Sequence, residues 1–308
     1  MEGFKIDPSR KGTETLDVEE PKIQEQPDIQ ENPINNIHGL SLEELNDVNK
    51  IRISISDTSA PVIVLFGPAS CGKTMTLVRL SRYLQGKGYQ LIPDRTFRPS
   101  YDENYKTLCD NFSSIVNSDD AASRTDNISF MLVKVVKDGR TICQILEGPG
   151  ELYFDPSKAR QDCPTYVHYL LNNTNLRKVF LPFVEPNFGE EETRRNYVST
   201  INQLKQNTDK QKYVFLYNKI DLTPFVISPG KVHINHALHQ VEMDYPDIFA
   251  RFKNTNPITS LWRANNFEFV PFQTGTYTKP AAGSLVYIQG SDRYPQHLWE
   301  TLLRCIRG

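Results

Sequence analysis

One short segment combines glycines, a lysine and a hydroxyl at a spacing suited to binding phosphate. Gly67 is followed after four residues by Gly72, Lys73 and Thr74. Glycines let the backbone curl so that its N–H groups point at phosphate oxygens, and a helix that begins there adds the positive end of its dipole. Lys73 would neutralise β- and γ-phosphate oxygens, and the Thr74 hydroxyl would ligate Mg²⁺. The pattern predicts a nucleotide-phosphate site formed by Gly67, Ser70, Cys71, Gly72, Lys73 and Thr74.

The flanking sequence suits such a loop. Residues 61–66 form a continuous apolar run, which is typical of a strand buried on both faces of a parallel sheet. Apolar residues then recur at helical spacing over residues 73–85. The alternative, a glycine-rich turn with an incidental lysine, requires neither neighbour, so the context favours the phosphate site.

A second motif concerns the base. The apolar run 214–217 is followed directly by Asn218, Lys219, Ile220 and Asp221. This segment resembles the Asn-Lys-x-Asp element of Ras-like and translation-factor-like P-loop GTPases. The resemblance implies that Asp221 accepts hydrogen bonds from guanine N1 and N2, that Asn218 tethers the loop, and that Lys219 lies against the base. Without it, Asn and Asp after a strand would indicate only an ordinary turn.

The segment 145–151 lies where these GTPases carry an Asp-x-x-Gly element. By that resemblance Glu147 would hold Mg²⁺ in place of the aspartate, and Gly150 would sense the γ-phosphate. Glu151 stands where Ras-like proteins place a glutamine that orients the attacking water. A carboxylate there could polarise water or repel the γ-phosphate, and both outcomes are open. Lys73, Gly150 and Glu151 are the predicted catalytic positions.

Two further family elements are matched more loosely. A switch threonine that closes on Mg²⁺ is expected before the second strand, and Thr125 is the candidate, with Thr107 as the second choice. Residues 98–127 are polar and irregular, as a switch segment or a generic solvated loop would be. After the last core strand, Thr274 and Gly275 would present backbone N–H groups to guanine O6.

The order of apolar runs predicts the fold. Strands are expected at 128–136, 141–146, 178–184, 213–217 and 267–272, with helices near 165–172, 191–206, 236–253 and 295–306. Lys137-Asp138-Gly139-Arg140 should close an antiparallel hairpin. The prediction is an α/β, doubly wound, mostly parallel six-stranded sheet with one antiparallel strand and helices on both faces.

Composition divides the chain into a tail, a lead-in segment and a folded domain, and it argues against some classes of partner. Residues 1–40 are acidic, polar and poor in aromatics, which predicts a disordered tail. Residues 41–60 form a lead-in segment with a short helix and an exposed strand, and 61–308 should be the P-loop GTPase-like domain. A net charge of −2 argues against a nucleic-acid partner, and the sequence lacks an apolar run for membrane insertion. A cytoplasmic location is therefore expected.

The cysteines are odd in number and form no Cys-x-x-Cys pair, which argues against a disulfide framework or a zinc site. Cys71 is interpreted as a small residue that fits the loop, the alternative being a thiol whose oxidation blocks nucleotide binding.

The leading hypothesis is a GTP/GDP- and Mg²⁺-binding switch that hydrolyses GTP slowly. No arginine finger can be named, so an effector or activating protein is expected. A nucleotide-loaded interaction module without turnover is the second hypothesis, and an ATP-using P-loop enzyme is the third. Pro149-Gly150-Glu151 and Val184-Glu185-Pro186 resemble segments of the bacterial double-GTPase group.

Overall fold

A computed structural model describes residues 40–117, 130–148 and 164–307, apart from residues 259, 261, 263 and 279–285. The chain divides into two units, Met1–Asn35 and Asn36–Gly308, and every described residue belongs to the second. The predicted tail lies outside the described residues except for Leu40, which is buried. Among the described helices, none is long and apolar enough to cross a bilayer.

Seven strands form the central sheet, and their order fixes the fold. These strands are β1 Val62–Phe66, β2 Gln90–Pro93, β3 Met131–Lys137, β4 Arg140–Glu147, β5 Lys178–Val184, β6 Lys212–Tyr217 and β9 Glu268–Pro271. The order across the sheet is β2-β3-β4-β1-β5-β6-β9. Strand β3 runs antiparallel to both of its neighbours, and every other pairing is parallel. The doubly wound α/β, P-loop GTPase-like fold with one antiparallel strand is thus confirmed, with a seventh strand in addition to the predicted six.

Helices and two small hairpins complete the described elements. The helices are α1 Leu42–Asn46, α2 Lys73–Gly86, α3 Glu103–Asn117, α4 Thr165–Asn172, α5 Glu191–Asn207, α6 Ile234–Asp244 and α7 Arg293–Arg307. The hairpins pair β7 Val226–Ser228 with β8 Lys231–Val232, and β10 Gly275–Thr278 with β11 Val286–Gln289. All residues of β1 and β5 are buried, which requires cover on both faces of the sheet.

The β3–β4 hairpin confirms the predicted turn. Asp138 and Gly139 have φ angles of 50° and 72°, and positive φ at both central residues is the condition for a tight turn that matches strand twist. This hairpin reverses the chain once, which is why β3 alone is antiparallel. Strand β4 then enters the sheet beside β1 and delivers Glu147 to the same edge as the phosphate loop.

Three expectations about local structure were wrong. Residues 103–117 form helix α3, whereas 98–127 was expected to be irregular. The single helix predicted over 236–253 ends at Asp244, because Pro246 cannot continue it, and a 3₁₀ turn follows at Ala250–Phe252. Residues 50–56 form no strand, although Ile51 and Ile55 are buried in the same core as the sheet.

Candidate functional site

The predicted site residues lie at the carboxyl ends of neighbouring parallel strands. Gly67 to Thr74 follow β1, Glu147 ends β4, Asn218 follows β6 and Thr274 follows β9. Strand β1 lies between β4 and β5, so the chain builds one side of the sheet first and then crosses β1 to build the other. A crevice for ligands opens at such a switch point in α/β sheets.

Two glycines are required by the shape of the phosphate loop. Gly72 has a φ of 90°, and a Cβ there would lie 2.3 Å from Asn218 Nδ2. A Cβ at Gly67 would lie 2.8 Å from Cys71 Sγ and 2.9 Å from Phe183 Cβ. Helix α2 begins at Lys73 with no side-chain cap, so the positive end of its dipole faces the phosphate loop.

Lys73 lies inside the loop rather than in solvent. Its side chain is buried, and its ammonium group donates hydrogen bonds to the carbonyl oxygens of Gly67 at 3.1 Å and Pro68 at 2.8 Å. A buried cation needs such acceptors because it has lost its water. The ammonium is therefore already placed among the backbone groups that would surround a phosphate.

Thr74 and Glu147 come together from positions 73 residues apart. The Thr74 hydroxyl donates to Glu147 Oε1 at 2.6 Å, and Glu147 Oε2 is buried without a hydrogen-bond partner. Burial raises the pKa of Glu147 to about 7, although the nearby Lys73 charge and the Thr74 hydrogen bond act in the opposite direction. A buried carboxylate with an unused oxygen beside a hydroxyl suits Mg²⁺, which prefers oxygen ligands. These two residues fit the predicted metal site.

Asn218 joins residues 218–221, called the base loop after the motif that they resemble, to residues 67–74, the phosphate loop. Its side-chain Nδ2 donates to the Cys71 carbonyl at 2.9 Å, and its backbone N–H donates to the Val184 carbonyl at 2.9 Å. Oδ1 of this buried side chain has no hydrogen-bond partner. The two sequence motifs, 147 residues apart, are therefore in direct contact, as the predicted tethering role of Asn218 requires.

The rest of the base loop is held to the neighbouring strand end. Lys219 adopts a left-handed conformation with φ 54°, and the exposed Asp221 lies in a short 3₁₀ turn, Ile220–Leu222. The Ile220 N–H donates to the Phe272 carbonyl at 3.2 Å. This hydrogen bond brings the backbone of the Asp221 turn beside the segment that leads to Thr274.

The turn after β9 is fixed by the hairpin that follows it. Thr274 is buried, and its carbonyl accepts a 2.6 Å hydrogen bond from the Tyr287 hydroxyl on β11. Gly275 opens β10 and pairs with Gln289. The backbone of the predicted guanine-O6 turn is thus held by the β10–β11 hairpin, and its role stays a prediction.

Four predicted positions require separate mention. Thr125, Gly150 and Glu151 lie outside the described residues, so their roles stay predictions. Thr107 is an exposed residue of α3 whose hydroxyl donates to the Glu103 carbonyl at 3.0 Å. Helix formation explains this placement, since a helical threonine commonly bonds the carbonyl four residues earlier.

Cys71 has the properties of a packing residue. The thiol is buried, and desolvation raises its pKa to about 11, although the Lys73 charge lowers it. The thiolate is the reactive form, so such a thiol is inert near neutral pH. The structure favours the interpretation of Cys71 as a small residue that fits the loop.

Supporting residues that the sequence did not single out surround the site. The Tyr197 hydroxyl on α5 donates to the Phe183 carbonyl at 2.8 Å, near the end of β5. Arg79 on α2 is fully buried and donates to the Gly290 carbonyl at 2.9 Å and to Asp292 Oδ1 at 2.7 Å. Arg79 therefore joins the helix of the phosphate loop to the segment that ends the β10–β11 hairpin.

Glu185 and Tyr245 form a second supporting group. The Glu185 carboxylate makes an ion pair with Lys219, and the Tyr245 hydroxyl donates to the Glu185 carbonyl at 2.8 Å. The only sequence signal was the segment Val184-Glu185-Pro186 at a strand end, which did not reveal the contact with Lys219.

No protein-family model and no curated protein matches the sequence. Several solved structures resemble the fold. A GTPase from Pyrococcus abyssi in its apo form is 12% identical, with 82% of this chain and 99% of that chain covered at a TM-score of 0.36. A Plasmodium falciparum structure described as nucleolar GTP-binding protein 1 is 15% identical, with 72% and 81% covered at 0.35.

The GTPase-like domain of S. cerevisiae Ski7, bound to GDP and inorganic phosphate, is 14% identical, with 70% of this chain but only 43% of that chain covered at a TM-score of 0.35. At these identities and TM-scores the likenesses assign no activity to the chain. None of these structures places it in the bacterial double-GTPase group, which stays a prediction.

Proposed function

We propose that this protein binds GTP and GDP with Mg²⁺ and hydrolyses GTP slowly as a molecular switch. The observation that supports this most strongly is the Asn218 bridge. Its 2.9 Å hydrogen bond to the Cys71 carbonyl holds a guanine-type base loop against a phosphate loop. A nucleotide spans the same two loops with its base and its phosphates, so the bridge sets their separation before the ligand arrives.

Each part of the site has a separate task in this proposal. Lys73 exchanges the Gly67 and Pro68 carbonyls for phosphate oxygens, and the dipole at the start of α2 adds to the positive field. Thr74 and Glu147 hold Mg²⁺, which would neutralise phosphate charge when bound. Asp221 selects guanine, because adenine lacks donors at N1 and C2.

The rate of GTP hydrolysis would be limited by the catalytic groups that the chain itself supplies. Catalysis in this class depends on positioning and charge stabilisation, and Lys73 and the loop amides provide part of this. Gly150 and Glu151 are proposed to sense the γ-phosphate and position water. An activating protein is proposed to supply further positive charge to the transition state. A cytoplasmic location is also proposed.

A nucleotide-loaded module without turnover is the second candidate. Glu147 favours it, because Thr74 already donates to this buried carboxyl and its raised pKa disfavours the charged form that Mg²⁺ needs. Single-turnover assays of radiolabelled GTP separate the two. Phosphate release within minutes to hours supports the switch, whereas intact bound GTP over the same period supports the module.

Nucleotide titration tests the central proposal. Fluorescent GTP, GDP and ATP analogues are titrated in Mg²⁺, with unlabelled nucleotides as competitors. Lys73→Ala should weaken the binding of GTP and GDP by at least about a hundredfold, since it removes a charge-assisted contact to phosphate. Asp221→Asn should lose guanine preference and gain xanthine nucleotide binding, because the asparagine amide can donate to the carbonyl at xanthine C2.

The exposed Glu192, at the start of α5, provides the control variant Glu192→Gln, which should bind as wild type does. Equal competition by ATP and GTP, unchanged in Asp221→Asn, would instead favour an ATP-using enzyme. Absence of binding by any purine nucleotide would refute the proposal.

A further inference from the structure

Glu185 is held rigidly at the end of β5. It is buried, with 7% of the residue exposed. The Tyr245 hydroxyl donates to its carbonyl at 2.8 Å and accepts from its N–H at 3.3 Å, so one side chain fixes both backbone groups. The preceding carbonyl, of Val184, accepts from the Asn218 N–H at 2.9 Å. The backbone at Val184 and Glu185 is therefore held directly beside the base loop.

The Glu185 carboxylate makes one ion pair with a described residue, and that partner belongs to the base loop. The Lys219 ammonium lies directly against Oε2 of Glu185. The carboxylate side chain is only 10% exposed, while the lysine side chain is 38% exposed. Burying an anion costs desolvation energy, and for this reason such ion pairs often contribute little net stability. Folding stability alone is thus a poor reason for the pair.

Among the described residues, Glu185 is the one ion-pair partner of the Lys219 side chain. Its backbone is left-handed at φ 54°, and its long side chain has many rotamers in solution. A ligand that packs against a free lysine restricts its side-chain rotamers, and this loss of conformational entropy weakens binding. A lysine that is already held by a buried carboxylate has lost that freedom before the ligand binds. The ion pair therefore orders the Lys219 side chain before the ligand binds.

We propose that Glu185 is a positioning residue for guanine binding, which holds the Lys219 ammonium so that the lysine stem lies ready against the base. The inference rests on the proposed function, in which Lys219 contacts the base. Glu185 touches neither the phosphates nor the metal in this proposal. Although its charge acts on the Cys71 thiol of the phosphate loop, its contact with Lys219 should make its main effect fall on the base end of the ligand.

The test is an affinity comparison between whole nucleotide and phosphate. Glu185→Gln keeps the size of the side chain and removes its charge. The Kd for GDP should rise about fivefold to tenfold, in line with the loss of one partly exposed ion pair and of side-chain ordering. The Kd for inorganic pyrophosphate, measured by competition, should stay within about twofold of wild type. Glu185→Asp retains the charge at shorter reach and should recover part of the GDP affinity.

A double-mutant cycle separates positioning from a structural role. Lys219→Met keeps an unbranched stem without the ammonium, and in that background Glu185→Gln should change the Kd for GDP by less than about twofold. The exposed Glu192→Gln is the matched control. Equal losses for GDP and pyrophosphate, or fully additive losses in the double variant, would overturn the positioning role. If wild type binds GDP but Glu185→Gln is unchanged, this inference fails alone; if wild type binds no guanine nucleotide, both proposals fail.

Discussion

Replacing Glu147 by glutamine should abolish a decline in stability that the wild-type protein shows as the pH rises. Burial raises the pKa of this carboxyl from 4.5 in the unfolded chain to about 7 in the folded protein. Between these values the folded state keeps a proton that the unfolded state has released. The free energy of unfolding therefore falls with rising pH in this window and becomes constant above it.

The size of the effect follows from the two pKa values. The interval from 4.5 to about 7, at about 1.4 kcal/mol for each pH unit, amounts to about 3 kcal/mol. The carboxyl is only 1% exposed, so solvent screening reduces this little. Glutamine has no charge to bury, and its carbonyl oxygen can still accept the Thr74 hydrogen bond. The substitution thus removes the ionisation cost and preserves the main contact.

Urea unfolding followed by far-UV circular dichroism provides the assay. Wild type and Glu147→Gln are compared at pH 5 and pH 8 in EDTA, without nucleotide. From pH 5 to pH 8, the free energy of unfolding of Glu147→Gln should rise by more than about 2 kcal/mol relative to that of wild type. Glu192→Gln should show no such relative change. Parallel pH dependence of wild type and Glu147→Gln would refute the reasoning, because it would mean that Glu147 ionises in the fold as easily as in water.

Two further predictions concern the phosphate loop. Gly72→Ala should weaken GDP binding more than tenfold in competition titrations, since its φ of 90° disfavours a side chain and the new Cβ would meet Asn218 Nδ2. Gly86→Ala, which has no atom within 4 Å of its Cβ position, is the control and should bind normally. Cys71 should resist iodoacetamide at pH 7, whereas the less buried Cys305 should react within the same period, as peptide mass spectrometry would show. Rapid labelling of Cys71 in the native protein would show that this thiol is neither buried nor protonated, contrary to the structure.

The sheet was largely predictable because its central strands are continuous apolar runs. Strand β5 has the predicted bounds, and helix α4 does as well. Strand β2 was missed because it is short, contains a proline and buries only Leu91. Helix α3 was missed because its Asn and Ser residues weaken the helical signal, and its apolar face becomes evident only where Tyr105 and Phe112 meet the core.

The candidate site was predictable where local spacing carries the chemistry. Gly72, Lys73 and Thr74 could be identified because one loop and one helix start place them together. The contacts of Glu185 with Lys219 and Tyr245 could not, since residues 34 and 60 positions apart meet only when the strands assemble. Tertiary pairing of this kind has no periodic signature in a single sequence.

The link between Arg79 and the end of the β10–β11 hairpin has a consequence for how the protein is made. Arg79 is synthesised within the phosphate-loop helix, yet its acceptors, Gly290 and Asp292, follow 211 and 213 residues later. A growing chain on the ribosome therefore holds a guanidinium group that cannot be buried without cost until those residues emerge. We expect ribosome-bound chains that end before residue 290 to capture GDP poorly, and chains exposed through helix α7, whose Leu298 and Leu302 are buried in the core, to capture it well. Nucleotide loading would then have to wait for a segment made more than two hundred residues after the phosphate loop, rather than being an early step of folding.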